Sequence, residues 1–214
     1  MQHYETLEPG KLYHIYNHGV GNRDLFREPD NYEYFLRKYN EYISPVADTY
    51  AWVLMPNHFH LLVKILDFSD LTGFQNLTGF QNLSGLEDRR NSKPPHQHFS
   101  NLFNAYTKAF NTRFGHRGAL FERPFKRRLI DDDNYLKQLT LYIHNNPVHH
   151  GFCSHPVEYP WSSYLSCVSE KPTKLKRDQV VGWFGNEANF IFMHNRKLEI
   201  EAIESWLEMQ PINV

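Results

Sequence analysis

MPNHFHLLVKI, residues 55–65, decides the reading of this chain. Pro56-Asn57 is a turn signal, and the eight residues after it alternate in character. In a strand, alternate side chains share a face. Phe59, Leu61, Val63 and Ile65 then form one wholly apolar face, while His58, His60, Leu62 and Lys64 form the other. One face seals against a core; the other presents two imidazoles about 7 Å apart. Two such nitrogens can hold a divalent cation, although H-x-H also occurs as an ordinary pair of strand histidines.

Working outward, Thr49–Met55 (TYAWVLM) reads as the strand that pairs with His58–Ile65 in a hairpin. Upstream, Lys11–Asn17 (KLYHIYN) reads as a strand. A glycine-containing loop with Gly19 and Gly21 leads from it to a helix over 31–43, capped by Asp30 and ended before Pro45. Downstream, Phe99, Phe103, Tyr106, Phe110 and Phe114 recur at helical spacing and predict a helix over His98–Phe114. Arg128–Ile130 predicts a fourth strand. Asp132 or Asp133 then caps a helix, NYLKQLTLYIHNN, that is expected to end near Asn145 because Pro147 follows. YPWSSYLSC, LKRDQVVGWF, EANFIFMHN and KLEIEAIESWLE predict further short helices. Residues 67–96 hold LTGFQN twice, at 71–76 and 77–82, then LSG and a polar, proline-containing stretch. They read as an insertion within one domain, because three short copies are too few for a solenoid.

Composition narrows the function classes. The chain has 214 residues, 41% hydrophobic and 15% aromatic, with a net charge of −1. That charge gives no whole-chain argument for a nucleic-acid partner, so its distribution matters. Between Arg89 and Arg128 there are ten Lys or Arg residues and one acid, Glu122, interleaved with Phe110, Phe114, Phe121 and Phe125. Phosphate contacts from Arg113, Arg117, Arg123, Lys126, Arg127 and Arg128, with base stacking on the rings, fit this segment better than a solvated basic face. Cys153 and Cys167 have no C-x-x-C partner, which excludes a zinc ribbon and argues against a disulfide framework. MQHYETLEPGKLYH lacks an apolar signal core, and no stretch has the ~20 apolar residues of a membrane span. The expectation is a cytoplasmic protein.

A second constellation is Tyr142 with Asn146, one helical turn apart and so on one face. A tyrosine hydroxyl is a weak nucleophile at its ordinary pKa of about 10. A nearby cation offsets this by stabilising the charge that develops on a phosphate. A core tyrosine beside a helix-ending asparagine is the plain alternative, and with 13 tyrosines present composition does not choose between them.

These residues together resemble a known family. MPNHFHLLV at 55–63 resembles the HUH motif of single-tyrosine transposases. FERPFKRRLI at 121–130, YLKQLTLYIHNNPVHHG at 135–151 and YPWSSY at 159–164 are similar to the REP-associated tyrosine transposases and their insertion-sequence (IS200-like) relatives, as is the opening YHIYNHGVGNRDLF. The resemblance covers roughly residues 10–165. It implies an α+β fold with a central antiparallel sheet, related to ferredoxin-like nucleic-acid binders. It implies a catalytic domain over 1–165, carrying the insertion; outside the resemblance, residues 166–214 read as a helical extension. Carried over by position, His58, His60 and Asn146 would hold Mg²⁺ or Mn²⁺. Tyr142 would attack a scissile phosphate of single-stranded or hairpin DNA and form a 5′-phosphotyrosine. Tyr135, seven residues earlier on the same helix, is the rival nucleophile. Insertion-sequence members of the family act as dimers, whereas REP-associated ones can act alone, so a homodimer and a monomer both stay open. The rival functions are a DNA- or RNA-binding module without cleavage, a replication initiator or relaxase, and a metal hydrolase that uses water.

Overall fold

A computed structural model describes residues 5–67 and 93–196. The repeat at 71–85, Arg89 and Arg90, and the helix expected over 197–208 lie outside the described residues. So does nearly all of the 67–96 insertion. The elements are β1 (Leu12–His18), α1 (Pro29–Tyr42), β2 (Ala47–Met55), β3 (His58–Ile65), α2 (Pro95–Phe114), β4 (Lys126–Ile130), α3 (Asp133–His149), α4 (Tyr164–Cys167), α5 (Arg177–Trp183) and α6 (Glu187–His194). The four strands form one antiparallel sheet in the order β2-β3-β1-β4. The first six elements run β-α-β-β-α-β, the ferredoxin-like arrangement. The fold class is therefore α+β with a central antiparallel sheet, as expected.

Sheet alternation sorts the core into two layers. Tyr13, Ile15, Phe59, Leu61, Val63 and Ile65 pack with Phe35, Tyr39, Phe99, Phe103 and Tyr106 of α1 and α2. On the opposite face, Ala51, Val53, Met55 and Leu62 pack with Leu136, Leu139, Tyr142 and Ile143 of α3. Val180, Phe184 and Phe190, from α5 to α6, join this second layer. The imidazole face of β3 is thus covered by a helix: His58 is 6% and His60 4% exposed. The alternation of β3 identifies its two faces correctly but not the second lid, which comes from a helix 70 or so residues later in the chain.

Several boundaries differ from expectation for identifiable reasons. Asp30 sits in the first turn of α1, where its charge suits the helix dipole, and Glu28 is the N-cap residue. Asp132 does cap α3, accepting from Tyr135 N at 2.7 Å. Pro147 does not stop α3, which runs on to His149. The proline falls in the last turn and removes only one backbone donor there. His150 N still reaches Asn146 O and Phe152 N reaches Pro147 O. YPWSSY does not begin as helix. Residues 161–163 lie along the β2 edge, with Leu54 N donating to Trp161 O and Ser163 N to Trp52 O, both at 2.9 Å. Lys176 N extends that cover to Thr49 O. At the other edge, Glu5 accepts from Leu129 N. Such capping blunts strand edges that would otherwise recruit other chains.

Candidate functional site

Register brings the site together. His58 lies opposite His18 on β1, His60 opposite Tyr16, and Leu62 opposite His14. Cross-strand partners share a face, so β1 adds His14, Tyr16 and His18 to the two histidines of β3. β4 adds Lys126 opposite Tyr16 and Arg128 opposite His14. The rings stack: His14 on Tyr16 at 4.6 Å, His14 on His60 at 5.1 Å and His18 on His58 at 5.0 Å between centroids. Lys126 Nζ lies 5.7 Å from the centre of the Tyr16 ring.

Helix α3 supplies the lid. Asn146 Oδ1 stands 3.0 Å from His58 Nε2, and the Tyr142 ring meets His60 edge-on at 5.3 Å between centroids. Asn146 can do this only because α3 stays helical through Pro147, which keeps it one turn beyond Tyr142 on the same side. At the end of α3, His150 packs edge-on against His58 at 5.2 Å. Tyr135 reaches toward β4, where the Arg128 guanidinium lies 5.9 Å from its ring. Burial raises the pKa of both Tyr135 and Tyr16.

The polar atoms of His58 define what the site accepts. Burial pushes its pKa down to about 4, only partly offset by the nearby Asn146 oxygen, which favours the protonated ring, so the ring is neutral and carries one N–H. His58 Nδ1 lies 2.7 Å from Asn57 Oδ1, and Asn57 Nδ2 in turn donates to Asn22 Oδ1. That single N–H can serve only one of the two oxygens beside the ring: with the proton on Nδ1 toward Asn57, the Nε2 lone pair faces Asn146 Oδ1. Asn146 Nδ2 is buried without a hydrogen-bond partner among the described residues. In that state two acceptors face one another beside an unpartnered amide nitrogen, an arrangement that a cation satisfies, as does a turn of the Asn146 amide that brings Nδ2 to His58 Nε2. Two ligands at right angles around a cation at about 2.1 Å stand about 3.0 Å apart. His60, also neutral because burial and the neighbouring His14 hold its pKa well below the usual histidine range, adds a second imidazole. The donor set thus fits a divalent cation through His58, His60 and Asn146. Among the described residues no group of three or more His, Cys, Asp or Glu could hold a metal ion, so the amide oxygen is essential to this set.

The basic residues divide. Lys126 and Arg128 share the histidine face. Arg123 and Arg127 line a groove of about 440 Å³ on the α2 side, with Phe103 and Asn104. Arg113 is tied to Glu28 at 2.6 Å and to Asp30 at 3.9 Å, and Arg117 is exposed. The interleaved rings are core rather than stacking surface: Phe110, Phe121 and Phe125 are buried and Phe114 is partly buried. Apolar rings beside a charged surface lower the free energy most by turning inward. Sequence reasoning also missed His14, Tyr16, His18 and Asn57. The signal was available in LYHIYNH, whose period of two puts His14, Tyr16 and His18 on one face.

Among the described residues no helix is long and apolar enough to cross a membrane. No protein-family model matches the chain, and no curated protein matches it. One solved structure similar to it is a REP-associated tyrosine transposase bound to a REP hairpin. The two agree with a TM-score of 0.54 over 80% of this chain and 88% of that one, at 15% sequence identity. At that identity the likeness shows a shared fold, and the chemistry rests on this chain's own side chains.

Proposed function

We propose that this chain is a DNA transposase-like nuclease that cleaves and rejoins single-stranded DNA. Tyr142 is its nucleophile, and His58, His60 and Asn146 are the ligands of one divalent cation. The observation that carries the reading is the facing pair at 3.0 Å, His58 Nε2 and Asn146 Oδ1, with Tyr142 one turn away on the same helix against His60. Mg²⁺ or Mn²⁺ bound there would act as a Lewis acid toward the scissile phosphate. The neutral imidazoles of His58 and His60 present lone pairs at pH 7. Lys126 and Arg128, on the same face, hold the flanking phosphates. The Tyr142 hydroxyl attacks phosphorus and loses its proton, and the 3′ oxygen leaves as a hydroxyl. The resulting 5′-phosphotyrosine keeps the bond energy for rejoining. In this role the protein works at the nucleoid, in transposition or in the processing of repeat elements.

One observation favours a second reading. Tyr142 is 5% exposed, so a substrate must uncover it before it can react. A DNA-binding module that does not cleave has no such requirement. The two are separated by incubating the protein with Mn²⁺ and a pool of hairpin oligonucleotides whose single-stranded flanks are randomised, then running denaturing gels. The expected result is a covalent protein–DNA adduct that disappears in Tyr142→Phe, with negligible cutting of fully paired duplex. An adduct that survives Tyr142→Phe but not Tyr135→Phe or Tyr16→Phe moves the nucleophile. DNA retention with no adduct leaves the binding module.

A further inference from the structure

The closest polar neighbour of His60 is His14, with His14 Nε2 lying 2.9 Å from His60 Nδ1. His14 is 0% exposed, in mid-strand, where leucine or valine would fill the same space. Its other nitrogen, Nδ1, has no hydrogen-bond partner among the described residues. A fully buried imidazole with one nitrogen unanswered is an unfavourable choice for packing alone. Its geometry gives it a task.

Two neutral rings share a single N–H across that contact. If His60 Nδ1 carries it, His60 Nε2 is a bare lone pair and can ligate a cation, while the His14 proton sits on the unpartnered Nδ1, so this state is the one a cation at Nε2 selects. If His14 Nε2 carries it, His60 holds its proton on Nε2 and cannot ligate. Position also matters. His14 sits diagonally across the β1–β3 ladder from His60, and the rings of His14, Tyr16 and His60 are in mutual contact, with centroids 4.6–5.8 Å apart. It therefore holds the His60 ring in one plane as well as accepting its proton. His58 has the matching arrangement through Asn57 Oδ1 at 2.7 Å, so both candidate ligands have Nδ1 occupied and Nε2 left for the site.

We infer that His14 is the positioning residue of the cation site, accepting the His60 Nδ1 proton and so directing His60 Nε2 toward the cation. The inference rests on the reading of His58, His60 and Asn146 as ligands. Metal-ligating histidines generally give their second N–H to a carboxylate, backbone carbonyl or water, the place His14 Nε2 takes here, and losing such a partner weakens metal affinity about 10- to 100-fold.

The test is Mn²⁺ affinity, read from the electron paramagnetic resonance signal of the free ion, in the full chain without DNA. His14→Leu is expected to weaken binding about 10- to 100-fold while the protein stays folded by circular dichroism. His14→Gln, whose amide oxygen can accept from His60, is expected to recover part of the loss. His194→Leu, at a buried histidine of the α3–α6 contact, should leave the affinity as in the wild type. In the zinc-loaded protein, long-range proton–nitrogen NMR should place the His60 proton on Nδ1. An affinity within twofold of wild type in folded His14→Leu overturns the inference, as does an equal loss in His194→Leu. A wild type that binds no Mn²⁺ overturns the ligand set itself, and the role of His14 with it.

Discussion

Among the described residues two histidine clusters are buried, and they differ in how their protons are accounted for. In the first, between α3 and the extension, His194 Nδ1–H donates to Phe190 O at 2.8 Å, so its Nε2 must accept from His144 Nδ1–H at 2.9 Å. His144 Nε2 then accepts from the Ser163 hydroxyl at 2.7 Å, and Ser163 Oγ accepts from Trp52 N at 2.8 Å. Every nitrogen has one partner and every proton one place. The second cluster, His14, His58 and His60 under Tyr142 and Asn146, has a His–His contact of the same length. Yet among the described residues it leaves His14 Nδ1 and Asn146 Nδ2 without a hydrogen bond, and with the His58 proton on Nδ1 it sets two acceptors against each other. Burial is nearly the same in the two. What differs is closure: a closed network serves the fold, and an open one has capacity for a ligand.

The largest expected effect breaks the open cluster. His58→Ala with His60→Ala should lower the rate of adduct formation by about a thousandfold, the loss of several kcal/mol of charge stabilisation at the phosphate. Gel quantitation of initial rates measures it. A loss below tenfold would show that the imidazoles do not serve the chemistry. His144→Leu breaks the closed cluster instead. It strands the Ser163 hydroxyl and the His194 acceptor in the core, at about 1–3 kcal/mol each. Denaturant unfolding should show a destabilisation of about 2–6 kcal/mol, with Mn²⁺ affinity unchanged. A variant as stable as wild type would mean that the network contributes nothing to the fold.

Acid should tell the same story more gradually. Burial lowers the His194 pKa to about 4 and that of His144 well below the usual range, from an unfolded value near 6.5. A depressed folded pKa means that the unfolded chain binds more protons between those limits. The stability these groups supply is therefore complete above pH 6.5 and is lost as pH falls toward 4, at about 1.4 kcal/mol per pH unit for each histidine. His194→Leu removes one such group, so its unfolding free energy should fall less steeply than wild type between pH 6.5 and 4.5. Parallel curves would refute the assignment of His194 as a neutral, doubly bonded ring.

How much of this was legible in the chain varies with the range of the interactions. β3 is observed over His58–Ile65, the residues its alternation marks, because period-two patterning is local. The co-location of Tyr142 and Asn146 followed from helical spacing, and only the overestimated strength of Pro147 as a terminator put it at risk. The contribution of β1 was written in the same alternation but required the β1–β3 register, which depends on long-range pairing. The Ser163–His144–His194 chain had no local signal, since its three members come from a strand-like edge segment, a helix and the extension. The phenylalanines of 110–125 were misread because an aromatic beside an arginine suits either a core or a base. Only the packing of α2 against the sheet decides between them.

The smallest effect carries the open-and-closed contrast to the surface charges. Arg113 is closed in the same sense as His144: Glu28 sits 2.6 Å from its Nε, and the bond to Glu28 raises its pKa. Lys126 lies over Tyr16 on the histidine face, at the strand end next to His58 and His18. If DNA enters along that face, Lys126→Ala should weaken binding of a hairpin oligonucleotide and reduce the slope of log affinity against log salt by about 1, the signature of one lost phosphate contact. Arg113→Ala should leave the slope unchanged, because that guanidinium already has carboxylate partners on the α1 side. Fluorescence anisotropy across a salt series measures both. A slope change for Arg113→Ala and none for Lys126→Ala would move the DNA path to the α1–α2 face, away from Tyr142, and would leave the histidine cluster without a substrate.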